Sequence, residues 1–128
     1  MKILVIEDDR AMVDLYRQWL MNTNAEIDYC DNSYKASEKI MKGSMSLYDL
    51  LIADLKLEGS KGGDTVVSLL AEMELGKKKK TPILILSAHI DDEVKKQFMK
   101  RKNIHFLDKK SLTSEVFRNG ILDIIGAT

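Results

Sequence analysis

Two apolar runs in this chain lead directly into carboxylates. The run "ILVI" continues into Glu7, Asp8 and Asp9, and the run "LLIA" ends in Asp54. A buried carboxylate is costly unless it is paired or bound to a cation. Several carboxylates held close together suit Mg²⁺, with Mn²⁺ as a substitute, because both ions prefer oxygen ligands. The pattern raises the hypothesis of a magnesium site that includes Asp54.

A hydroxyl and an ammonium group follow two other apolar runs. Ser87 ends "PILILS", and Lys109 comes just after "IHFL". A serine hydroxyl can donate a hydrogen bond to a phosphoryl group, and a lysine supplies a point charge to one. A carboxylate beside this set can act as a nucleophile and form an aspartyl phosphate. We therefore predict that Asp54 is a phosphoacceptor.

Each of these residues also has an ordinary structural explanation. Acids after a strand often begin a helix, where they complement its positive end. Ser87 could cap a helix, and Lys109 could be a solvated lysine. The functional interpretation depends on all of them lying at the ends of strands that share one sheet.

The rest of the sequence predicts such a sheet, because strand and helix patterns alternate five times. This alternation indicates an α/β fold with a parallel sheet covered on both faces by right-handed crossovers. Ligands bind outside the carboxyl ends of the strands in such sheets. In a 2-1-3-4-5 order, the second strand would lie at an edge. The predicted strands are 2–6, 25–30, 49–54, 82–87 and 104–107, and the predicted helices are 10–21, 33–42, 64–75, 91–102 and 114–125.

Three of the predicted helices carry further local signals. The buried stripe of the first helix is predicted to contain Met12, Tyr16, Trp19 and Leu20. Asn32 or Ser33 is the expected N-cap of the second helix. Gly120 is expected to weaken the middle of the last helix, because glycine is a poor helix former.

Composition narrows the class of protein. The 128 residues suit one domain, 1–128, and the net charge of zero supplies no basic field for nucleic acid. The single cysteine, Cys30, excludes an intrachain disulfide and fits a cytoplasmic location. No stretch is long enough to span a membrane. The run Lys77–Lys80 is interpreted as a solvated loop rather than a nucleic-acid contact.

The motifs "ILVIEDD", "LLIADLKLEGSKGG", "ILILSA" and "HFLDKK" together resemble the receiver domain of a two-component response regulator, of the chemotaxis-regulator type. The resemblance covers essentially the whole chain. It implies a flavodoxin-like, doubly wound sheet of five parallel strands in the order 2-1-3-4-5. It also implies that Mg²⁺ binds Asp8, Asp54 and the backbone carbonyl of Lys56, with Glu7 acting mainly through water and Lys109 contacting the phosphoryl group.

The same resemblance implies a signalling switch rather than an enzyme in the usual sense. Asp54 would take a phosphoryl group from a phosphohistidine on a sensor histidine kinase or phosphotransfer protein. Ser87 and Phe106 would then move and alter a surface that binds an unidentified downstream protein. Lys56 and His89 would tune how fast water removes the phosphate.

Three positions depart from the family pattern. Glu58 stands where the family often has proline, and Lys110 stands where it usually has a cis-proline. A cis bond before a non-proline residue costs about 3 kcal/mol, so we predict a trans Lys109–Lys110 bond and a shifted loop. Phe106 lacks a tyrosine hydroxyl, so its switching would rest on packing alone.

Two other functions are compatible with parts of the pattern. The first is a receiver-like docking module that is not phosphorylated. The second is a magnesium-dependent phosphohydrolase with an aspartyl nucleophile. Enzymes of that dehalogenase type carry a second aspartate two residues after the nucleophile, where this chain has Lys56.

Overall fold

The computed structural model describes residues 1–32, 35, 36, 38, 39, 48–54, 81–87 and 103–126. Its strands are β1 (Lys2–Ile6), β2 (Glu26–Cys30), β3 (Leu50–Asp54), β4 (Ile83–Ser87) and β5 (Ile104–Asp108). Its bounded helices are α1 (Arg10–Trp19) and α2 (Ser114–Gly126), with a 3₁₀ turn at Lys109–Ser111. No helix in this described part of the chain is long and apolar enough to cross a membrane.

The five strands form one parallel sheet in the order β2-β1-β3-β4-β5. The predicted fold class and strand order are therefore confirmed, and each strand lies within a residue or two of its predicted bounds. Strands β3 and β4 are buried along their whole length, which agrees with the short apolar runs that predicted them. Strands with both faces covered need apolar residues on both faces.

The two faces of the sheet pack against separate hydrophobic clusters. Alternate strand residues point to opposite faces, and the first cluster, called the α1–α2 face here, contains Ile3 and Val5 of β1 together with residues of both helices. The second cluster, the opposite face, contains Leu4 and Ile6 of β1. A residue's position in its strand therefore determines which face it serves.

Helix α1 ends two residues before its predicted end at Met21. The backbone turns after Trp19, and Asn22 adopts a positive φ of 69°. Asparagine tolerates this left-handed conformation better than most residues, because its short polar side chain can hydrogen-bond locally. The apolar pattern continues past the helix because Leu20 is still buried against the sheet.

Helix α2 is predicted to be weakened by Gly120, and the structure gives this glycine a packing role. A Cβ atom at Gly120 would lie 3.0 Å from Cδ1 of Leu107, a residue of β5. Glycine thus leaves room for the Leu107 side chain between α2 and β5, although glycine is a poor helix former.

Some sequence predictions lie wholly or partly outside the described residues. The predicted helices 64–75 and 91–102 are among them. Within the predicted helix 33–42, residues 35, 36, 38 and 39 are helical. Asn32, one of two predicted N-caps for that helix, accepts a hydrogen bond from the backbone N–H of Lys35 at 2.8 Å. The segment's beginning is therefore capped as the sequence predicts.

Candidate functional site

Three carboxylates meet at the carboxyl edge of the sheet. Ligand oxygens of Glu7, Asp8 and Asp54 all lie within 4.8 Å of one another. Glu7 and Asp8 directly follow β1, and Asp54 is the last residue of the adjacent strand β3. Glu7 and Asp54 are buried, whereas Asp8 is exposed. The cluster is thus a small acidic site with one side open to water.

Lys109 joins the two buried carboxylates. Its Nζ donates to Oε1 of Glu7 at 3.0 Å and to Oδ2 of Asp54 at 2.7 Å. Lys109 begins the 3₁₀ turn after β5, and Asp108 caps this turn by accepting from the N–H of Lys110 at 2.9 Å. The Lys109–Lys110 peptide bond is trans, as predicted. The turn therefore aims one lysine back across β4 toward the acids on β1 and β3.

Burial and charge change the proton affinity of this cluster. Burial raises the pKa of Glu7 to about 7, and the charge of Asp54 adds to that effect, while Lys109 opposes it. Burial alone would lower the pKa of Lys109, but its hydrogen bonds to Asp54 and Glu7 outweigh burial and raise it. The ammonium of Lys109 is therefore held in its charged form between two acids that repel each other.

Asp9, the third acid of the run, does not join this group. Its Oδ1 accepts a hydrogen bond from the N–H of Ala11 at 2.9 Å, and its backbone is extended, so it is the N-cap of α1. A capping aspartate satisfies one of the unpaired N–H groups at a helix start. The helix-start explanation is correct for Asp9, while Glu7 and Asp8 belong to the cluster.

Ser87 and Phe106 lie on the face of the sheet opposite α1 and α2. Ser87 ends β4 and is buried, next to Asp108 in the register of β4 and β5. Phe106 is half-buried and packs against the cluster of the opposite face. Ser87 follows Ile85 by two residues, and Ile85 belongs to the same cluster, so both predicted switch residues share one face.

Three sequence-predicted positions, Lys56, Glu58 and His89, lie outside the described residues.

The sequence predicts Tyr16 only as part of the buried stripe of the first helix, and not as a residue of the site. Tyr16 of α1 is fully buried, and its hydroxyl has no hydrogen-bond partner in the described part of the chain. Burial raises the pKa of Tyr16, and the charge of Glu7 raises it further. In the sequence, the one sign of this buried hydroxyl is that a tyrosine occupies a position where the stripe requires just an apolar side chain.

The donor set of the acidic site fits a hard divalent cation. The cluster offers carboxylate oxygens from three residues, and among described residues no His or Cys joins it. Oxygen ligands with one open side suit Mg²⁺ better than Zn²⁺. The mutual repulsion of Glu7 and Asp54, which contributes to the raised Glu7 pKa, would be relieved by such a cation.

Solved structures share this fold. A signal receiver domain from Vibrio parahaemolyticus superposes with a TM-score of 0.81 at 20% identity, covering 98% of this chain and 90% of that one. The chemotaxis response regulator CheY4 of Vibrio cholerae superposes with a TM-score of 0.76 at 19% identity, covering 96% of this chain and 97% of that one. At these identities the likeness demonstrates the fold alone.

Sequence similarity extends the comparison. The chain is 34% identical over 87 residues to the transcriptional regulatory protein ResD of Bacillus subtilis (strain 168), which is 68% of this chain and 32% of that protein. The match thus spans about a third of the relative's length. The model of the response regulator receiver domain matches residues 3–119. With this fold, this acidic edge and this match, the chain belongs to the response regulator receiver domain family.

Proposed function

We propose that this chain is a phosphorylation-controlled signalling switch in which Asp54 accepts the phosphoryl group. The observation that carries the proposal is the placement of Asp54: a buried carboxylate at a strand end, 2.7 Å from the Nζ of Lys109 and beside two further acids. Family membership supports a receiver role in a two-component system. We infer one receiver domain over residues 1–128.

The proposed reaction transfers a phosphoryl group from a phosphohistidine of a sensor kinase or phosphotransfer protein. An Oδ atom of Asp54 attacks phosphorus, the P–N bond breaks, and its electron pair stays on the imidazole nitrogen, which takes up a proton. Lys109 lies where its ammonium can neutralise the charge of the transferred group. Positioning and charge neutralisation would supply most of the rate.

Glu7, Asp8 and Asp54 are the described residues that would hold Mg²⁺, and the Lys56 carbonyl is the further ligand that the sequence predicts. When bound, Mg²⁺ would neutralise the charge that gathers on the phosphoryl oxygens. Asp8 is the exposed member of the set, so it is the acid that an entering ion meets first. The buried pair would supply the inner side of the site.

The switch would run through the face opposite α1 and α2. Ser87 lies at the edge where the phosphoryl group would sit, and its neighbour in the register of β4 and β5 is Asp108. Phe106, two residues before Asp108, packs against the cluster of the opposite face. A hydrogen bond from Ser87 to the phosphoryl group would free space for Phe106 to turn inward and alter the surface near β5. Because Phe106 has no hydroxyl, packing alone would favour the inward state. Lys56 and His89 would set how long the phosphoryl group persists.

Treatment with acetyl phosphate and Mg²⁺ tests this proposal. We expect intact-protein mass spectrometry to show one added phosphoryl group, peptide mapping to place it on Asp54, and chelation of Mg²⁺ to abolish it. Asp54→Asn should not be modified. Asp9→Asn is the matched control and should be modified like the parent, because Asp9 caps α1.

Failure of the parent protein to form any adduct, with beryllofluoride and Mg²⁺ as well, would favour the docking module instead. We propose that the receiver acts in the cytoplasm, with a sensor kinase or phosphotransfer protein and a downstream protein as its partners.

A further inference from the structure

The hydroxyl of Tyr16 is a buried donor close to the acidic site. Tyr16 is fully buried, and within the described part of the chain its Oη has no hydrogen-bond partner. A buried hydroxyl without a partner has lost its water and gained nothing in return. An unpaired group of this kind in a native structure requires an explanation, such as a partner gained in another state.

The arrangement of the strands places Tyr16 on the same side of the sheet as two of the acids. Ile3 and Val5 face the cluster that contains Tyr16, and Glu7 follows Val5 by two residues. The backbone N–H of Glu7 donates to the carbonyl of Cys30 at 3.0 Å, so the strand alternation continues through Glu7. Asp54 follows Ile52 of the same cluster by two residues. Both carboxylates therefore share the face that α1 covers.

In the present structure Glu7 accepts from Lys109, and not from Tyr16. Oε1 of Glu7 accepts from Lys109, which also donates to Asp54. If Asp54 carries a phosphoryl group, Lys109 has a more strongly charged partner and is drawn toward it. Glu7, only 1% exposed, then loses this donor, and a carboxylate oxygen that is not turned toward the cation can accept from another. Among the described residues on that face, Tyr16 is a buried donor whose hydroxyl has no partner.

We propose, on the basis of the function proposed above, that Tyr16 is a positioning residue whose hydroxyl donates to the Glu7 carboxylate once the site is loaded. The charge of Glu7 is the first among the acids that raise the pKa of Tyr16, which agrees with this pairing. In the metal-free protein the hydroxyl is desolvated without a hydrogen bond, whereas in the loaded protein it donates one. The hydroxyl therefore favours the loaded state.

The same tyrosine connects the site with α2. The ring of Tyr16 stacks on Phe117 of α2, with centroids 5.0 Å apart and planes 12° apart. Trp19, the single tryptophan of the chain, contacts both rings at centroid distances of 6.0 Å and 5.4 Å. A shift of Tyr16 toward Glu7 must change this aromatic cluster. Loading should therefore alter Trp19 fluorescence and the packing of α2.

The test compares the parent with Tyr16→Phe, which removes only the hydroxyl. Each protein is titrated with beryllofluoride at saturating Mg²⁺, and the stability of the metal-free form is measured separately by denaturant unfolding. We expect metal-free Tyr16→Phe to be at least as stable as the parent, because an unpaired buried hydroxyl is gone. We expect its affinity for beryllofluoride to fall about three- to tenfold, the value of one hydrogen bond, and its Trp19 response to shrink.

Tyr48→Phe is the matched control. The Tyr48 hydroxyl donates to Asp28 in the middle of β2, and Tyr48 packs in the cluster on the face opposite α1 and α2, so this variant should be less stable than the parent but load equally well. Parental affinity in Tyr16→Phe, or a metal-free Tyr16→Phe protein less stable than the parent, would overturn the positioning role. A parent that does not load at all would overturn the proposed function as well, so the two failures are distinguishable.

Discussion

Lysine and carboxylates meet at both ends of the sheet, and the two ends treat them in opposite ways. At the carboxyl end, Lys109 lies 3.0 Å from Glu7 and 2.7 Å from Asp54, and these acids are 1% and 3% exposed. At the amino end, Lys2 lies 3.9 Å from Asp28, and both side chains are one-third exposed. The first group is compact and desolvated, while the second is loose and wet.

The amino end adds contacts that hold strands together. Nζ of Lys2 lies 5.4 Å from the ring centre of Tyr48, and the backbone N–H of Lys2 donates to Asp49 at 2.8 Å. Tyr48 donates to Asp28 across the edge of the sheet. These contacts join β1, β2 and the start of β3, and the exposed ion pair among them contributes little to stability.

Burial, rather than residue type, separates the screened ion pair at the amino end from the strongly interacting charges at the carboxyl end. In the wet group, solvent screens each charge, so little energy is stored. In the buried group, two acids share one lysine, and under the proposed function a bound cation or phosphoryl group would relieve their repulsion. Four variants, from the largest expected effect to the smallest, test this difference.

Replacing the buried lysine should have the largest effect. Lys109→Met leaves Glu7 and Asp54 without a counter-charge, and breaking a buried pair on one side is strongly destabilising. We expect the free energy of unfolding at pH 8 to fall by about 3 kcal/mol, measured by urea titration. A loss below about 1 kcal/mol would mean that the buried group behaves like the exposed one.

Replacing the buried acid should change the pH dependence of stability. The pKa of Glu7 is raised from 4.5 to about 7, so the folded metal-free protein binds this proton more tightly than the unfolded chain. Its contribution is full below pH 4.5 and is lost as the pH rises to about 7. In Glu7→Gln this decline should disappear, with a gain on the order of 2 kcal/mol at pH 8.

Urea titrations of parent and Glu7→Gln in chelator, between pH 4.5 and 8, measure that slope. Equal slopes of unfolding free energy against pH in the two proteins would show that Glu7 is already ionised at low pH. The difference between the buried end and the exposed end of the sheet would then lose support.

Removing the tyrosine hydroxyl of the amino end should have a smaller effect. Tyr48→Phe deletes the donor to Asp28, a partly buried hydrogen bond, and should lower the free energy of unfolding by about 1 kcal/mol. Denaturant unfolding measures it. A loss as large as that of Lys109→Met would indicate that the amino end is as strongly coupled as the site.

The smallest effect is expected for the exposed lysine, which is the direct control for Lys109. Lys2→Met should change stability by no more than about 0.5 kcal/mol, and the difference from the parent should vanish in high salt because solvent and ions screen the pair. A salt-independent loss would place Lys2 in a buried environment and contradict the comparison.

The elements of the fold are largely readable from the sequence. The apolar run Lys2–Ile6 is a strand as predicted, the alternation of strand and helix predicted a parallel sheet, and the family resemblance implied its strand order. These features depend on residues within a few positions of one another and on general rules of chain connection. The same local logic predicted the N-cap Asn32.

Local logic could not assign the acids that follow β1. Asp8 and Asp9 are adjacent and chemically identical, yet Asp8 joins the cluster and Asp9 caps α1. The predicted end of α1 is also two residues too late. Leu20 continues the apolar pattern because it is buried against the sheet, but it is not helical. In both cases the direction of a side chain depends on how the next element packs.

The residue pattern alone indicates which segments form the parallel sheet and which acids stand at the strand ends, and the order of the strands follows from the family resemblance of the motifs. It takes the folded structure to show that Lys109 reaches Glu7 and Asp54, which lie 102 and 55 positions away along the chain, and that the buried Tyr16 hydroxyl has no partner among the described residues. Periodicity and backbone geometry act over a few residues, whereas desolvation and the balance of charges arise when distant segments exclude water together.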